Sequence, residues 1–177
     1  MIKYNISFKN PHKHFIDFIL TTSTNDKDVI NFQLPAWRPG RYELGNFSQN
    51  IYKWGAFTKK NKALNFIKIN KDKWQVDCKN EEEIIISYSF YANQLDAGSC
   101  YLDEEQLYIN PVHCIFYITD RISDNYELNF DIPEDYIIAS SLKKSNQMLK
   151  GNNFDEIAES PIICSNSIKH DFYTVNN

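Results

Sequence analysis

Three consecutive carboxylates, Asp103, Glu104 and Glu105, stand inside the run YLDEEQLYIN at residues 101–110. Set in a cleft, they would hold a substrate ammonium group or a cation. Left in a solvated loop, they would be what most short charge runs are, a wet surface. A second unusual run is LPAWRPGRY at residues 34–42. Pro35 and Pro39 bracket Trp37 and Arg38, and Pro39-Gly40 sets a tight turn. A Trp-Arg pair on a stiff loop suits an interface, where these side chains often carry binding energy. It equally suits a Trp that plugs the end of a sheet sandwich while Arg38 pairs with a carboxylate.

Other chemistries lack their residues. A zinc peptidase needs two histidines one helical turn apart with a glutamate beside the first, His-Glu-x-x-His, and no such run occurs. His12 and His14 would point the same way on a strand and could share a metal. They follow Asn10-Pro11, however, and His113 and His170 stand alone, so the pair is read as a strand entry and no metal site is assigned. His113 and Cys114 are adjacent, which on a strand puts them on opposite faces and argues against a catalytic dyad. There is no G-x-S-x-G nucleophile elbow and no Gly-rich phosphate loop. No catalytic residue is assigned to this chain, and no cofactor.

The elements that position these residues are strands. Apolar residues recur every second position at Ile2, Tyr4, Ile6 and Phe8, at Ile16, Phe18 and Leu20, and at Ile30, Phe32 and Leu34. The pattern returns at Trp74, Val76 and Cys78, at Ile84, Ile86, Tyr88 and Phe90, at Cys114, Phe116 and Ile118, and at Tyr126, Leu128, Phe130 and Ile132. Period two, broken by Asn, Asp, Lys and Gly clusters, predicts antiparallel sheets. Aromatic residues at 15% point the same way. One short helix is expected at residues 154–159, before Pro161, and a helical turn in the loop at 42–52. Residues 142–153 read as a hairpin or loop with Gly151-Asn152 as its turn. The predicted fold is therefore all-β, an antiparallel β-sandwich spanning residues 1–177 as one domain, with Ile86, Tyr88, Phe90, Phe116, Leu128 and Phe130 in its core.

Composition bounds the partners. A net charge of -4 with mixed signs excludes a phosphate-backbone partner. No apolar run reaches the ~20 residues of a membrane span. The N-terminus lacks the apolar stretch of a signal peptide, which implies a cytoplasmic protein if Met1 is the native start. Cys78, Cys100, Cys114 and Cys164 are widely spaced without C-x-x-C and read as buried free thiols.

Six segments occur together in order: NPHKHF, LPAWRPGRYELGNFSQNI, KINKDKWQV, ISYSFYANQL, YLDEEQLYINP and FDEIAESPI. Together they resemble the N-terminal domain of the glycyl aminopeptidases, the M-sixty-one family of gluzincin zinc metallopeptidases, over about residues 2–172. Arg41 departs from the family's pattern, where a small residue is common after Pro-Gly. The resemblance implies a non-catalytic β-domain followed by a catalytic domain that carries zinc, and often a PDZ-like module. It implies that this chain packs on the catalytic domain and shapes the cleft for a peptide substrate. By analogy with leukotriene-hydrolase-like and aminopeptidase-N-like enzymes, Asp103, Glu104 and Glu105 would contact the substrate ammonium group. Trp37, Arg38 and Tyr42 would meet the catalytic domain. The alternative is a free-standing module that binds a peptide or carbohydrate, a peptide adding to an open strand edge.

Overall fold

The computed structural model describes residues 1–38, 40, 43–96 and 98–175. Among these, β1 (Ile2–Ser7), β2 (Phe15–Ser23), β3 (Val29–Gln33), β4 (Ile51–Thr58) and β5 (Phe66–Asn70) come first. Next are β6 (Lys73–Asp77), β7 (Glu83–Tyr91), β8 (Tyr101–Leu102), β9 (Gln106–Ile109) and β10 (Tyr117–Ile118). β11 (Tyr126–Asp131), β12 (Ile137–Ala139), β13 (Lys143–Ser145), β14 (Met148–Gly151) and β15 (Ile162–Ser165) follow. Helix among the described residues is confined to α1 (Pro111–Cys114), α2 (Phe154–Ala158) and two 3-10 turns, Pro11–Lys13 and Phe47–Asn50.

The strands form a seven-stranded sheet in the order β13-β14-β11-β1-β2-β7-β4, a four-stranded sheet β10-β3-β6-β5 and a smaller four-stranded sheet β12-β15-β9-β8. The fold is all-β, as the alternation predicts, but a third sheet joins the expected two. β1 also pairs parallel with β11, Tyr4 beside Leu128 and Ile6 beside Phe130. Alternation says which face of a strand is buried and nothing about the direction of a partner far along the chain.

The alternating residues meet between the sheets. Ile86, Tyr88, Phe90, Phe116, Leu128 and Phe130 are all buried. Phe18 of β2 stacks on Tyr88 of β7 at 5.0 Å. Phe116 sets its edge against Tyr88 at 5.0 Å and against Trp74 of β6 at 5.2 Å. It thereby joins the seven-stranded sheet to the β3–β6 sheet. Each such ring contributes about 1.5–3 kcal/mol by leaving water. Buried phenols are satisfied by backbone: Tyr88 donates to the Cys114 carbonyl at 2.5 Å, and the Tyr4 oxygen accepts from the Phe116 N–H at 3.0 Å. Burial pushes both phenols far above their ordinary pKa, so they stay neutral donors.

Two local expectations change. Residues 114–118 are not one strand: His113 and Cys114 close α1, and only Tyr117 and Ile118 pair in β10. Asn110-Pro111 carried the signal, a helix-entry residue followed by Pro at the first helical position. The hairpin within 142–153 turns at Asn146, in the left-handed region at φ 54, while Gly151 belongs to β14. α2 forms where expected, and its start is built locally. Asn153 Oδ1 accepts the Glu156 N–H at 2.8 Å, and Glu156 reaches back to the Asn152 N–H at 2.7 Å. Asn153→Ala is expected to cost about 1 kcal/mol in urea denaturation. An unchanged midpoint would show that packing of Phe154 and Ile157 alone holds this helix.

No helix among the described residues is long and apolar enough to cross a membrane.

Candidate functional site

The acidic run forms the tip of the β8–β9 hairpin. In the register Tyr101–Tyr108 and Leu102–Leu107, the leucines go inward and the tyrosines share the other face. Asp103 is committed to the turn: its Oδ1 accepts the N–H groups of Glu105 and Gln106, each at 2.9 Å. Tyr136 donates to the Glu104 carbonyl at 2.8 Å and Ser165 to the Glu105 carbonyl at 2.7 Å, so the tip is tied to the strands behind it. Burial, followed by the negative charge of Asp103, raises the Tyr101 pKa.

The two N-terminal histidines do not lie on a strand. His12 sits in the 3-10 turn, and His14 caps that turn in the left-handed region at φ 57. His12 Nε2 lies 2.8 Å from Glu104 Oε1. His14 Nδ1 lies 2.6 Å from the Leu102 carbonyl, which can only accept, so Nδ1 carries a proton. The His14 ring packs against Tyr91 and Tyr101. Both histidines thus brace the acidic hairpin instead of converging on an ion. Glu104 is engaged by His12, whereas the Glu105 carboxylate is exposed and has no hydrogen-bond or ion-pair partner among the described residues.

The Trp37-Arg38 pair is split. Trp37 is 52% exposed, which rules out the buried plug. It lines a groove of about 400 Å³ with Tyr117, Ile122, Phe154 and Ala158, a largely apolar surface between α1 and α2. Arg38 turns the other way, into a cavity of about 250 Å³ that also contains Glu43, Gln94 and Cys100. Its guanidinium occupies the space that a Cβ on Gly98 would need, so Gly at 98 is a condition for Arg38 lying there. Gly40 takes φ 81 in the turn, whereas Pro39, Arg41 and Tyr42 lie outside the described residues.

The cysteines are free and buried. Burial pushes the Cys114 thiol well up and the Cys164 thiol up to about 12, which leaves neither as a nucleophile. Cys100 and Cys114 approach at 4.0 Å between sulfurs. Among the described residues no three His, Cys, Asp or Glu side chains gather in a way that could hold a metal ion.

No curated protein matches this chain. Among solved structures, an aminopeptidase N family protein of Idiomarina loihiensis superposes with a TM-score of 0.86 at 25% identity, over 93% of this chain and 29% of that one. An M1 zinc metallopeptidase of Deinococcus radiodurans, solved with a Tyr-Ser-Ala substrate, superposes at 0.50 and 11% identity, over 93% of this chain and 41% of that one. The second likeness concerns the fold alone. The chain therefore spans less than half the length of either protein. Its residues 3–166 match the Peptidase M61 N-terminal domain, and the chain belongs to that family.

Proposed function

We propose that this domain is the non-catalytic N-terminal part of a zinc-dependent aminopeptidase of the glycyl aminopeptidase type, and that it packs on the catalytic part and forms one wall of its substrate cleft. The zinc belongs to the catalytic part. The observation that carries this reading is the braced hairpin tip, where one carboxylate of three, Glu105, is left uncommitted. A carboxylate on a rigid tip binds an ammonium group without first having to be ordered. Glu105 meets the substrate's free amine, Glu104 with His12 lies beside it, and Asp103 shapes the turn. The apolar groove under Trp37 takes the catalytic part of the same polypeptide. The support is a half-exposed Trp over apolar side chains, together with a structural relative that is more than twice as long.

The test uses the full-length enzyme and compares cleavage of a free-amine peptide with its N-blocked form. Glu105→Gln is expected to lower that ratio by about tenfold, the worth of one charge-assisted contact. Asp103→Asn is expected to lower thermal stability instead, because a neutral amide oxygen is a weaker acceptor than a carboxylate for two backbone N–H groups. If amides at 103, 104 and 105 all leave both the ratio and the stability unmoved, the hairpin has no substrate role.

One observation favours the free-standing module. β5 is a sheet edge whose Ile67 and Ile69 are exposed, at 60% and 47%, and an extended peptide could pair there. The two readings differ in which surface a peptide touches, the β5 edge or the β8–β9 tip.

A further inference from the structure

The outward face of the seven-stranded sheet leads into a row of rings that the core does not use. Tyr52 of β4 meets Phe15 of β2 at 5.3 Å between ring centroids, and Phe15 meets Tyr91 of β7 at 5.2 Å. Tyr91 meets His14 at 6.2 Å, and His14 meets Tyr101 of β8 at 6.3 Å. Strand register sets the start of the row: Phe15 lies opposite Tyr91, and Asp17 and Tyr52 flank Ser89 on the same face. Tyr52 is exposed and the other four rings are half-buried, so each presents part of its surface to solvent. The row is about as long as an extended segment of five or six residues.

The two ends of the row carry opposite charge. At one end Phe15 and Tyr52 lie in a pocket of about 250 Å³ that Lys9, Lys13 and Lys53 also line. None of these three ammonium groups has a hydrogen-bond or ion-pair partner among the described residues. Asp17 in the floor accepts from the Ser89 hydroxyl at 2.6 Å and pairs with none of the three. Lys53 is placed there against local preference. Among the described residues seven non-Gly residues adopt the left-handed region, and six of them are Asn, Asp or His, which tolerate it. Lys53, at φ 52 in the bulge between Tyr52 and Gly55, is the exception, and a bulge re-aims the side chain it carries. A lysine on the edge strand β4 also discourages strand pairing, but that accounts for neither Lys9 nor Lys13. At the other end Tyr101 adjoins the acidic hairpin with its exposed Glu104 and Glu105.

We propose that this row binds an extended acidic peptide, with a side-chain carboxylate in the lysine pocket and apolar side chains laid over the rings toward β8. Three unpaired ammonium groups around an aromatic floor fit a carboxylate borne on an apolar chain. The acidic hairpin at the far end repels a uniform polyanion, whether nucleic acid or polyuronate, and so selects a ligand whose negative charge sits at one end. The Asp17 carboxylate in the floor likewise disfavours a phosphate dianion. The row and the lysines carry this proposal, which needs no free amine and stands independently of the contact at Glu105.

The test titrates the ¹⁵N-labelled 177-residue chain with acetyl-Ala-Ala-Leu-Phe-Glu amide, which has neither a free amine nor a terminal carboxylate. Saturable amide shifts are expected at Lys13, Phe15, Lys53, Ser89 and Tyr91. The same peptide ending in Gln should bind about tenfold more weakly at low ionic strength, since three exposed ion pairs each contribute modestly. That difference should shrink in about 0.5 M salt. Lys9→Gln, Lys13→Gln and Lys53→Gln combined should bring the two peptides to equal affinity, and Tyr52→Ala should weaken both. Glu105→Gln should change neither, which separates this surface from the hairpin tip. Equal affinity of the two peptides for the unaltered chain overturns the proposal, and so does the absence of saturable shifts or their confinement to the β5 edge. Inorganic phosphate that reproduces the Lys13 and Lys53 shifts with the affinity of the Glu peptide would reduce the pocket to a simple anion site and overturns it too. The peptide pair reads the unaltered chain, so an ill-folded variant would not obscure the answer.

Discussion

Phe116→Ala is expected to destabilise the domain by about 3–5 kcal/mol, among the largest losses any single truncation can produce here. The ring is fully buried and is the contact between two sheets, edge-on to Tyr88 on one side and to Trp74 on the other. Truncation removes the apolar area and leaves a cavity, and the cavity term depends on how far the surroundings can collapse. They have little freedom to do so. The Phe116 N–H donates to the Tyr4 hydroxyl at 3.0 Å, and its carbonyl accepts from Tyr4 at 3.2 Å and from Tyr126 at 3.4 Å. Those phenols hold the backbone in place after the ring is gone. Urea denaturation of Phe116→Ala beside Phe116→Leu separates the terms, since leucine refills much of the volume and should cost about 1–2 kcal/mol. A loss below about 1 kcal/mol for alanine would mean that the sheets are joined elsewhere.

What the sequence shows and what it hides follow from the range of each interaction. Tyr4, Phe18, Tyr88 and Leu128 are legible because a strand's inward face repeats every second residue whatever its partner is. The parallel β1–β11 pairing is not, because both directions bury the same face. α1 is short and lies inside an apolar run, so its Asn-Pro start competes with a strand reading that the neighbouring residues support. The acidic run and Trp37 are visible as unusual residues. Their separate destinations are not, because Arg38 lies against Gly98, sixty positions away, and nothing local forecasts that approach. His12 and His14 show most clearly how spacing misleads. Two residues apart on a strand they would face one ion; around a left-handed cap they reach Glu104 and the Leu102 carbonyl separately. Glu43, Gln94 and His113 carry no signal in the sequence at all, since a polar cavity is made by loops meeting and not by a motif.

Arg121→Ala is expected to cost about 2–4 kcal/mol, with a dependence on acidity that identifies its partner. The guanidinium is buried and makes four hydrogen bonds: it donates to the Ser23 carbonyl at 2.7 Å, to Thr22 Oγ1 at 2.9 Å, and to Asp124 Oδ2 through Nε and Nη2 at 3.0 and 2.6 Å. It ties the end of β2 to the turn that precedes β11. Removing it leaves the Ser23 carbonyl and a partly buried carboxylate short of donors. Asp124 also holds the Met1 ammonium group at 3.1 Å, which keeps the loss below that of a fully orphaned ion. Burial by itself would raise the Asp124 pKa, but hydrogen bonds from Arg121 and the N-terminus outweigh it and hold it below the ordinary 3.8. A carboxylate whose folded-state value is depressed stabilises the fold above its unfolded-state value. That contribution fades as pH falls through the folded-state value. The native chain should therefore lose stability on the acid side more steeply than Asp124→Asn, and the gap between them should narrow as Asp124 takes up its proton. Chemical denaturation at a series of pH values reads this directly. A gap that stays constant from neutral pH into acid would assign the loss to the shape of the asparagine side chain and remove the ion pair from the account.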